Sequence, residues 1–421
     1  MEAAMDELTQ KAQAAKAAQR KLAHLSTEVK NRALNCIADG LIAGETEILE
    51  ANRKDLDDAR AAGMDQAMQD RLLLDADRLK GMAGDVRTVA ALPDPVGEVI
   101  DARVLPNSLR IERRRVPLGV IGTIFERRPN VTSDISSLCL KSGNAVILRG
   151  GKEALRSNSA LAKVIKQAAE AGGIPGDAVQ FIESTERMVV NEMLELSEYI
   201  DLIIPRGGEK LVNLVRDNAN MPVLASGAGI CHTYVDRMAD LDKAVAIAYN
   251  AKVQRPTVCN ALDCLLVHSE IAGRYLPLIA KEWVKAGVEM HCDKRAMEIL
   301  KDFNPVAATD ADWGKEFLSL VAAVKVVDSI DEAMEHIATY NSGHSEAIVT
   351  EDYTAALRFL EEVDAACVYA NASTRFTDGG QFGLGAEVGI CTQKFHARGP
   401  MGLKELTTYK WVIMGDGQVR P

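Results

Sequence analysis

The sequence predicts an α/β protein built on a doubly wound parallel sheet, and three patterns carry that prediction. From residue 118 onward, short apolar segments alternate with amphipathic segments of about ten to twenty residues, as strands alternate with crossover helices. A second alternating region runs from about 236 to 372. Residues 1 to about 90 are helical by hydrophobic period, with an apolar stripe that includes Val29, Ala33 and Ile37.

Apolar runs bounded by turn residues give the expected strands. In the first region they are Gly119–Phe125, Ala145–Leu148, Ala178–Ile182, Ile200–Ile204 and Pro222–Ala225. In the second they are Leu265–Val267, Val324–Val327, Glu346–Val349 and Cys367–Ala370. Residues 98–124 also predict strands and carry a basic cluster, which indicates a solvated or subunit-contacting strand: Arg110, Arg113, Arg114 and Arg115. A final apolar run, 409–414, predicts an edge strand that a partner would protect.

Composition excludes several classes of function. A chain of 421 residues with 47% hydrophobic content exceeds one typical domain. A net charge of −11 disfavours nucleic acid and anionic membranes as partners. Eight scattered cysteines without a C-x-x-C pair indicate a reducing compartment, and no ligand pair has zinc-site spacing, so no metal is expected. No long apolar stretch or signal peptide is evident, which predicts a cytoplasmic protein without a membrane span.

A cysteine that follows a helix-ending proline is the candidate nucleophile. Pro256 disfavours helical angles in the residue before it, so the helix predicted over 240–252 must stop there. Thr257 and Asn260 suit either a tight turn or a new helix start. A helix start would place Cys259 near a helix N-terminus, where a thiolate is stabilised. The alternative for Cys259 is a small core residue.

Two glycine pairs at the ends of predicted strands are candidate phosphate-binding turns. They are Gly150-Gly151 and Gly207-Gly208. Backbone N–H groups at a helix N-terminus bind phosphate well, although glycine pairs also form ordinary turns. The G-x-G-x-x-G fingerprint of dinucleotide-binding folds is absent.

The sequence resembles the aldehyde dehydrogenase superfamily over nearly its whole length. The segments that carry this resemblance are Pro117–Gly122, Lys141–Leu148 and Cys259 at its distance downstream. Five narrower segments resemble the γ-glutamyl phosphate reductase family of that superfamily: Phe125–Asn130, Leu148–Ala154, Gln254–Asn260, Ser342–Ile348 and His396–Pro400. Five motifs in the right order make chance similarity improbable.

The resemblance implies an aldehyde dehydrogenase-like fold of three parts: a doubly wound parallel-sheet cofactor domain, an α/β catalytic domain and a small β oligomerisation domain. The cofactor domain is expected over 1–108 and 124–232, and the catalytic domain over 233–372. An oligomerisation arm is expected at 109–123 and an oligomerisation tail at 395–421. Residues 373–394 are expected to return to the cofactor domain.

The activity implied by the resemblance is the NADPH-dependent reduction of L-glutamyl 5-phosphate to L-glutamate 5-semialdehyde with release of phosphate. This is the second step of L-proline biosynthesis, catalysed by a phosphorylating, NADP-dependent semialdehyde dehydrogenase. A homo-oligomer, either dimer or tetramer, is implied as well, and a glutamate 5-kinase that hands over the unstable acyl phosphate is a candidate partner. The competing interpretations are a CoA-acylating aldehyde dehydrogenase and a non-catalytic relative.

The resemblance also assigns catalytic roles. Cys259 would form a thioester, which splits one difficult reduction into two easier steps. Asn130 would donate to the oxyanion together with the backbone N–H of Cys259; the alternative for Asn130 is a local turn after Pro129. Four arginines flank the motifs and are candidate partners for the substrate's anionic groups: Arg127, Arg128, Arg255 and Arg398.

Cofactor-binding roles follow from the same resemblance. Arg149 would lie near the adenosine ribose, and Lys152 would favour a 2′-phosphate and hence NADPH. Gly207 and Gly208 would lie against the pyrophosphate. Glu316 is a weaker match to the residue that holds the nicotinamide ribose, and its alternative is a solvated helix residue.

One departure from the superfamily pattern bears on the reaction. Hydrolytic members carry a water-activating Glu in a Glu-Leu-Gly-Gly motif, which corresponds here to residues 224–229. No Asp or Glu occurs between Asp217 and Asp236. Without that base a thioester lasts long enough to be reduced or to react with phosphate, which favours a phosphate-linked reaction over hydrolysis.

Overall fold

The computed structural model describes residues 2–225 and 227–420, which form two compact units. Unit 1 comprises Met1–Ala225, Gly383–Gly389 and Met401–Pro421, and unit 2 comprises Ser226–Phe382 and Ile390–Pro400. Ser226, part of the segment compared with the hydrolytic Glu motif, lies outside the described residues. None of the described helices combines the length and apolar character needed to cross a bilayer.

Unit 1 begins with five helices, as the hydrophobic period predicts. They are α1 (Glu2–Leu22), α2 (Thr27–Ala43), α3 (Glu45–Ala61), α4 (Gln66–Leu72) and α5 (Ala76–Ala91). Ser26, Asp65 and Asp75 cap α2, α4 and α5 by accepting backbone N–H bonds from the first turn. The predicted stripe on α2 is buried at Ala33 and Ile37, which confirms its orientation toward the core.

Unit 1 continues with a parallel sheet covered by helices. Its strands are β3 (Val120–Phe125), β4 (Ala145–Gly150), β5 (Val179–Phe181) and β6 (Leu202–Arg206), and its helices are α6 (Asn130–Lys141), α7 (Leu155–Gly172), α8 (Arg187–Glu195) and α9 (Glu209–Asn218). The strand order is β5-β4-β3-β6, and every pair is parallel. The strand predicted at 222–225 is wrong, because only Val223 forms a bridge, to Ile203.

A separate antiparallel sheet in unit 1, called the arm sheet here, joins distant parts of the chain. It consists of β1 (Val99–Val104), β2 (Arg110–Pro117) and β16 (Thr407–Met414), with β2 in the middle. Arginines of the basic cluster on β2 pair with nearby carboxylates: Arg114 with Glu112 at 2.6 Å and Arg115 with Glu98 at 2.9 Å. These pairs agree with the predicted solvated or subunit-contacting strand.

Unit 2 is a doubly wound parallel sheet of seven strands. Its strands are β7 (Cys231–Val235), β8 (Leu262–His268), β9 (Glu289–Cys292), β10 (Val306–Ala307), β11 (Val321–Val327), β12 (Ser345–Val349) and β13 (Cys367–Ala370), in the order β10-β9-β11-β8-β7-β12-β13. Its helices are α10 (Leu241–Val253), α11 (Ser269–Lys285), α12 (Lys294–Ile299), α13 (Asp310–Trp313), α14 (Ile330–Tyr340) and α15 (Tyr353–Glu362). A short antiparallel pair, β14 (Ile390–Cys391) and β15 (Gly399–Pro400), also belongs to unit 2.

Hydrophobic cores cover both faces of this seven-stranded sheet. One cluster includes Leu265, Val267 and Trp283, and the other includes Leu266 and Phe359. Alternate residues of β8 thus enter opposite cores, as expected for a strand buried on both sides. The predicted doubly wound α/β class is confirmed.

The predicted boundaries differ from the observed ones. Unit 1 ends at Ala225 rather than 232, because β7 already belongs to the second sheet. Unit 2 extends to Phe382 rather than 372, and only Gly383–Gly389 of the segment 373–394 lies in unit 1. The arm sheet begins at β1 rather than at 109, and β3 belongs to the parallel sheet because it pairs with β4 and β6. Of the tail, residues 395–400 belong to unit 2.

Candidate active site

Cys259 lies in a turn of unit 2, between the end of α10 and the start of β8. Asp240 caps α10, which ends at Val253, and β8 begins at Leu262. Residues 254–261 are all described and contain no helix start, so the tight turn is confirmed and the alternative of a helix N-terminus is wrong. Stabilisation of a Cys259 thiolate must therefore come from the groups that surround this turn.

The accessibility of the cysteines distinguishes Cys259 from the other thiols of unit 2. Of the eight cysteines, Cys36 and Cys259 are half-buried and the remaining six are buried. Burial raises the pKa of Cys231 and of Cys264 well above that of an ordinary thiol. A buried thiol with a raised pKa is a poor nucleophile at neutral pH. Cys36 lies on α2, in unit 1.

The segment before β7 packs directly against the Cys259 turn. A Cβ atom on Gly229 would lie 1.9 Å from the Cys259 carbonyl oxygen, so only glycine fits at this position. The Gly229 N–H donates to a carboxylate oxygen of Glu316 at 3.0 Å. The fold thus brings a carboxylate, 87 residues away in sequence, to the carboxylate-free segment identified above. The sequence shows that residues 218–235 contain no carboxylate that could activate water. It does not show that carboxylates are absent from the rest of the surroundings of the Cys259 turn, because Glu316 lies there.

Two uncharged side chains, those of Cys231 and His344, pack behind the Cys259 backbone. The Cys231 thiol donates to the Cys259 carbonyl oxygen at 3.2 Å, and its sulfur lies 3.8 Å from Nδ1 of His344. Burial lowers the pKa of His344 to about 4, which keeps this imidazole neutral at physiological pH. These two side chains hold the turn without adding charge.

A buried ion pair supports the loop that carries Glu316. The Asp263 carboxylate accepts the N–H of Phe317 at 3.1 Å and lies 3.6 Å from Nζ of Lys252. Lys252 also donates to the Leu262 carbonyl oxygen at 2.6 Å. Burial raises the pKa of Asp263 to about 6 and lowers that of Lys252, while each charge partly offsets the shift of the other. The pair fixes the backbone immediately after Glu316.

Arg375, which sequence reasoning did not identify, lies across the Cys259 turn. Its Nε donates to the Gln254 side-chain oxygen at 2.8 Å, and its Nη1 donates to the side-chain oxygen of Asn260. Thr374 donates to the Asn260 carbonyl oxygen at 2.8 Å. No local signal marks Arg375 in the sequence, because its partners lie more than a hundred residues upstream.

The residues expected to bind the adenosine end of the cofactor lie at the end of β4 and just beyond it. Arg149 donates to the Thr185 carbonyl oxygen at 3.3 Å, while its buried Nε has no partner among the described residues. Lys152 is exposed. The neighbouring Glu153 carboxylate lies 3.4 Å from Nε of Arg127. Glu153 is thus engaged by another cation, which leaves the Lys152 ammonium available to an anionic ligand.

The second glycine pair joins β6 to α9. Gly208 is the N-cap residue of α9, and its N–H donates to a carboxylate oxygen of Glu126 at 3.2 Å. A Cβ atom on Gly207 would lie 2.8 Å from the same carboxylate. Glu126 therefore occupies the helix N-terminus where the resemblance places a phosphate, and it must rotate away for an anion to bind there.

Asn130 is the first residue of α6 and is exposed. Its side-chain amide donates to the Asp134 carboxylate, one helical turn later, at 2.8 Å. Burial raises the pKa of Asp134 to about 6. Asn130 belongs to unit 1 and Cys259 to unit 2, so a role in binding the oxyanion stays a prediction.

A buried cluster in unit 2 resembles a metal site in composition. One ligand atom from each of His232, Cys264 and His336 lies within 4.8 Å of the others. The Lys325 ammonium, however, contacts Nδ1 of His336 at 3.2 Å. The pKa of His336 is lowered to about 3, first by burial and then by its neighbours His232 and Lys325. A cation beside the cluster disfavours metal binding, and the absence of a bound metal stays a prediction.

Comparison with known proteins identifies the family of this chain. The family model described as "Aldehyde dehydrogenase family" matches residues 1–298 and 303–412. A γ-glutamyl phosphate reductase of Dehalococcoides mccartyi is 60% identical over 423 aligned residues and covers 100% of both chains. The chain belongs to the γ-glutamyl phosphate reductase family of aldehyde dehydrogenases.

Solved structures extend the comparison within and beyond the γ-glutamyl phosphate reductase family. The crystal structure of the Thermotoga maritima γ-glutamyl phosphate reductase has a TM-score of 0.97 and 52% identity, covering 99% of this chain and 100% of that one. An acetylating aldehyde dehydrogenase from Geobacillus thermoglucosidasius has a TM-score of 0.70 at 17% identity, covers 99% of this chain and 98% of that one, and shows a shared fold alone. Aldehyde dehydrogenases use NAD(P), and the γ-glutamyl phosphate reductase family is part of that group.

Proposed function

We propose that this chain reduces L-glutamyl 5-phosphate to L-glutamate 5-semialdehyde with NADPH and releases phosphate, the second step of L-proline biosynthesis. The observation that carries the proposal is the half-buried Cys259 thiol, in a turn closed by Gly229, within a chain of the γ-glutamyl phosphate reductase family. The relatives at 50–60% identity share this family over their full length.

The Cys259 thiolate attacks the acyl carbon of the substrate, forming a carbon–sulfur bond while the carbon–oxygen bond to phosphate breaks. The route through a thioester divides one difficult reduction into two easier steps. Collapse of the thiohemiacetal then breaks the carbon–sulfur bond, releases the aldehyde and restores the thiolate. Asn130 and the Cys259 backbone N–H are the proposed oxyanion donors.

The residues at the end of β4 fit a phosphorylated dinucleotide. The buried Nε of Arg149 has no hydrogen-bond partner among the described residues. The Lys152 ammonium is exposed, and the neighbouring Glu153 carboxylate pairs with Arg127 instead. In the proposal Arg149 and Lys152 hold the adenosine ribose and its 2′-phosphate, Gly207 and Gly208 hold the pyrophosphate, and Glu316 holds the nicotinamide ribose. The bound nicotinamide supplies the hydride. The Lys252–Asp263 pair fixes the loop of Glu316 and so orients it.

An assay in the oxidative direction tests this function. Purified enzyme is mixed with glutamate 5-semialdehyde and NADP, and cofactor reduction is followed with phosphate, with CoA, or with neither. We expect turnover that requires phosphate. Turnover with CoA but not with phosphate would support the CoA-acylating alternative, which the family assignment does not favour.

Reversing the charge of Lys152 tests the choice of cofactor. Lys152→Glu is expected to weaken NADPH binding by about 10- to 150-fold and NADH binding far less, because a charge-assisted hydrogen bond contributes roughly 1.5–3 kcal/mol. The control is Lys80→Glu, an exposed lysine of α5. Fluorescence titration gives both dissociation constants. Equal losses for the two cofactors would remove Lys152 from the 2′-phosphate site.

We also propose a homo-oligomer assembled through the arm sheet. Several apolar side chains of its outer strands are exposed, among them Val104 at 66% and Ile413 at 56%. The backbone edge of β16 is unpaired within the described residues, and an apolar edge strand invites pairing with another chain.

A single charge on β16 tests this assembly. Ile413→Lys is expected to lower the molar mass measured by light scattering after size exclusion, because a lysine opposes burial of the strand in an interface. Lys410→Gln, on an exposed residue of the same strand, is the matched control. An unchanged mass for Ile413→Lys would place the interface elsewhere.

A further inference from the structure

Two arginines beside the Cys259 turn lack the carboxylate partners that neutralise other arginines flanking the motifs. Arg127 pairs with Glu153, and Arg398 pairs with Asp364 at 2.6 Å. Arg255, by contrast, is exposed and forms no hydrogen bond or ion pair with any other residue that the structure describes.

Arg375 is the second of these cations and is held more firmly. The two contacts described above join its guanidinium to side-chain amide oxygens on both sides of Cys259, at Gln254 and at Asn260. Asn260 is itself fixed, since its amide donates to the Thr377 carbonyl oxygen at 2.9 Å. Neutral amides position the guanidinium without satisfying its charge.

The positive charges of Arg255 and Arg375 favour the binding of an anion between them. The pKa of Arg375 is lowered first by burial and then by the neighbouring Arg255 charge, whereas Cys259 and Asp378 raise it. The Arg255 charge is therefore close enough to Arg375 to repel it, and Arg375 is close enough to Cys259 to interact with it. A bound anion would relieve the repulsion, and arginine pairs well with phosphate through parallel hydrogen bonds.

We propose that Arg255 and Arg375 form the subsite for the phosphoryl group of the substrate, an inference that rests on the function proposed above. A phosphoryl group is joined to the acyl carbon through one oxygen, so it must lie beside the sulfur that attacks that carbon. The substrate's α-carboxylate is separated from the same carbon by three further carbons. Arg375 contacts the residue next to Cys259, which matches the nearer anion.

The subsite acts in both directions of the reaction. In reduction, the guanidinium groups stabilise the charge that develops on the phosphate oxygen as the carbon–oxygen bond breaks. In oxidation, they hold inorganic phosphate while one of its oxygens attacks the thioester carbon and the Cys259 thiolate leaves. The acyl-transfer step itself balances in both directions with phosphate, the acyl carbon and the thiolate; the hydride comes from the nicotinamide, as proposed above.

Steady-state kinetics in the oxidative direction tests the subsite with Arg255→Gln and Arg375→Gln, and Arg237→Gln, an exposed arginine of unit 2, is the control. We expect the KM for inorganic phosphate to rise about 10- to 150-fold in both variants, because each loses a charge-assisted hydrogen bond. The KM for the semialdehyde should change less than about threefold, and the control should match the wild type.

Protection from alkylation provides a readout that does not depend on turnover. Inorganic phosphate should slow the reaction of iodoacetamide with Cys259 in the wild type and in Arg237→Gln, and should fail to do so in Arg255→Gln. Because the exposed Arg255 holds no other described residue in place, this variant separates loss of the subsite from distortion of the turn.

Other outcomes would overturn the inference. A raised KM for the semialdehyde with an unchanged KM for phosphate would assign the pair to the α-carboxylate. Unchanged constants for both substrates would remove both arginines from substrate binding. Wild-type turnover that does not depend on phosphate would instead refute the proposed function, before the subsite is considered.

Discussion

Replacing Cys259 by alanine is expected to lower kcat by a factor on the order of 10⁴ or more, because the thiol forms the covalent intermediate. Folding should be nearly unaffected, since the side chain is half-buried and its backbone contacts remain. Stopped-flow or steady-state assays give kcat, and fluorescence titration should show unchanged NADPH binding.

The matched control for this variant is Cys36→Ala, which removes the other half-buried thiol. It should retain wild-type turnover. Residual activity of Cys259→Ala above a few per cent would show that another group attacks the acyl carbon. One neighbouring thiol is that of Cys231, which donates to the Cys259 carbonyl oxygen.

Replacing Lys252 by methionine is expected to destabilise unit 2 by about 3–5 kcal/mol, the usual cost of leaving one charge of a buried pair without its partner. Lys252 is fully buried, and the orphaned Asp263 carboxylate is only 3% exposed. Urea denaturation followed by tryptophan fluorescence measures the change. Turnover should also fall, because the Asp263 carboxylate fixes the backbone beside Glu316.

A double variant, Lys252→Met with Asp263→Asn, separates charge from packing. It should recover much of the lost stability, since no uncompensated charge remains buried. The control Lys243→Met removes an exposed ion pair with Glu351 and should cost less than about 1 kcal/mol. A Lys252→Met variant as stable as this control would contradict a charged pair in the core.

The fold was predictable where hydrophobic period alone decides the structure. Strands β3, β4 and β8 each contain a short apolar run, and each was expected within a few residues of its place. Strand β7, in the middle of the second sheet, was missed because His232 and Thr233 suggest a polar segment. His232 is buried there only because the Glu346 carboxylate, from the adjacent strand, lies 3.0 Å from its Nδ1. Such pairing across strands is invisible in one sequence.

The candidate site also contains residues that sequence motifs indicate and residues that only long-range contacts bring there. Cys259 and the two glycine pairs could be named from sequence motifs, and their roles in the reaction stay predictions. Arg375 was not predictable, because its role depends on a guanidinium that reaches back across 121 and 115 residues to the turn. The contact of Glu316 with Gly229 is equally long-range. It places a carboxylate beside a segment that contains none in its own sequence.

The arm sheet has a consequence for biosynthesis on the ribosome. Strand β2 cannot complete its pairing until β16 emerges, since Thr407 pairs with Pro117 and Met414 with Arg110. At about 5–20 residues per second, the intervening chain takes roughly 15–60 s to translate, and during this interval one edge of β2 is open. Charged side chains on an edge strand discourage chains from joining edge to edge. The charged residues of β2 would therefore lower the chance of such association during synthesis, before the C-terminal strand of the same chain covers that edge.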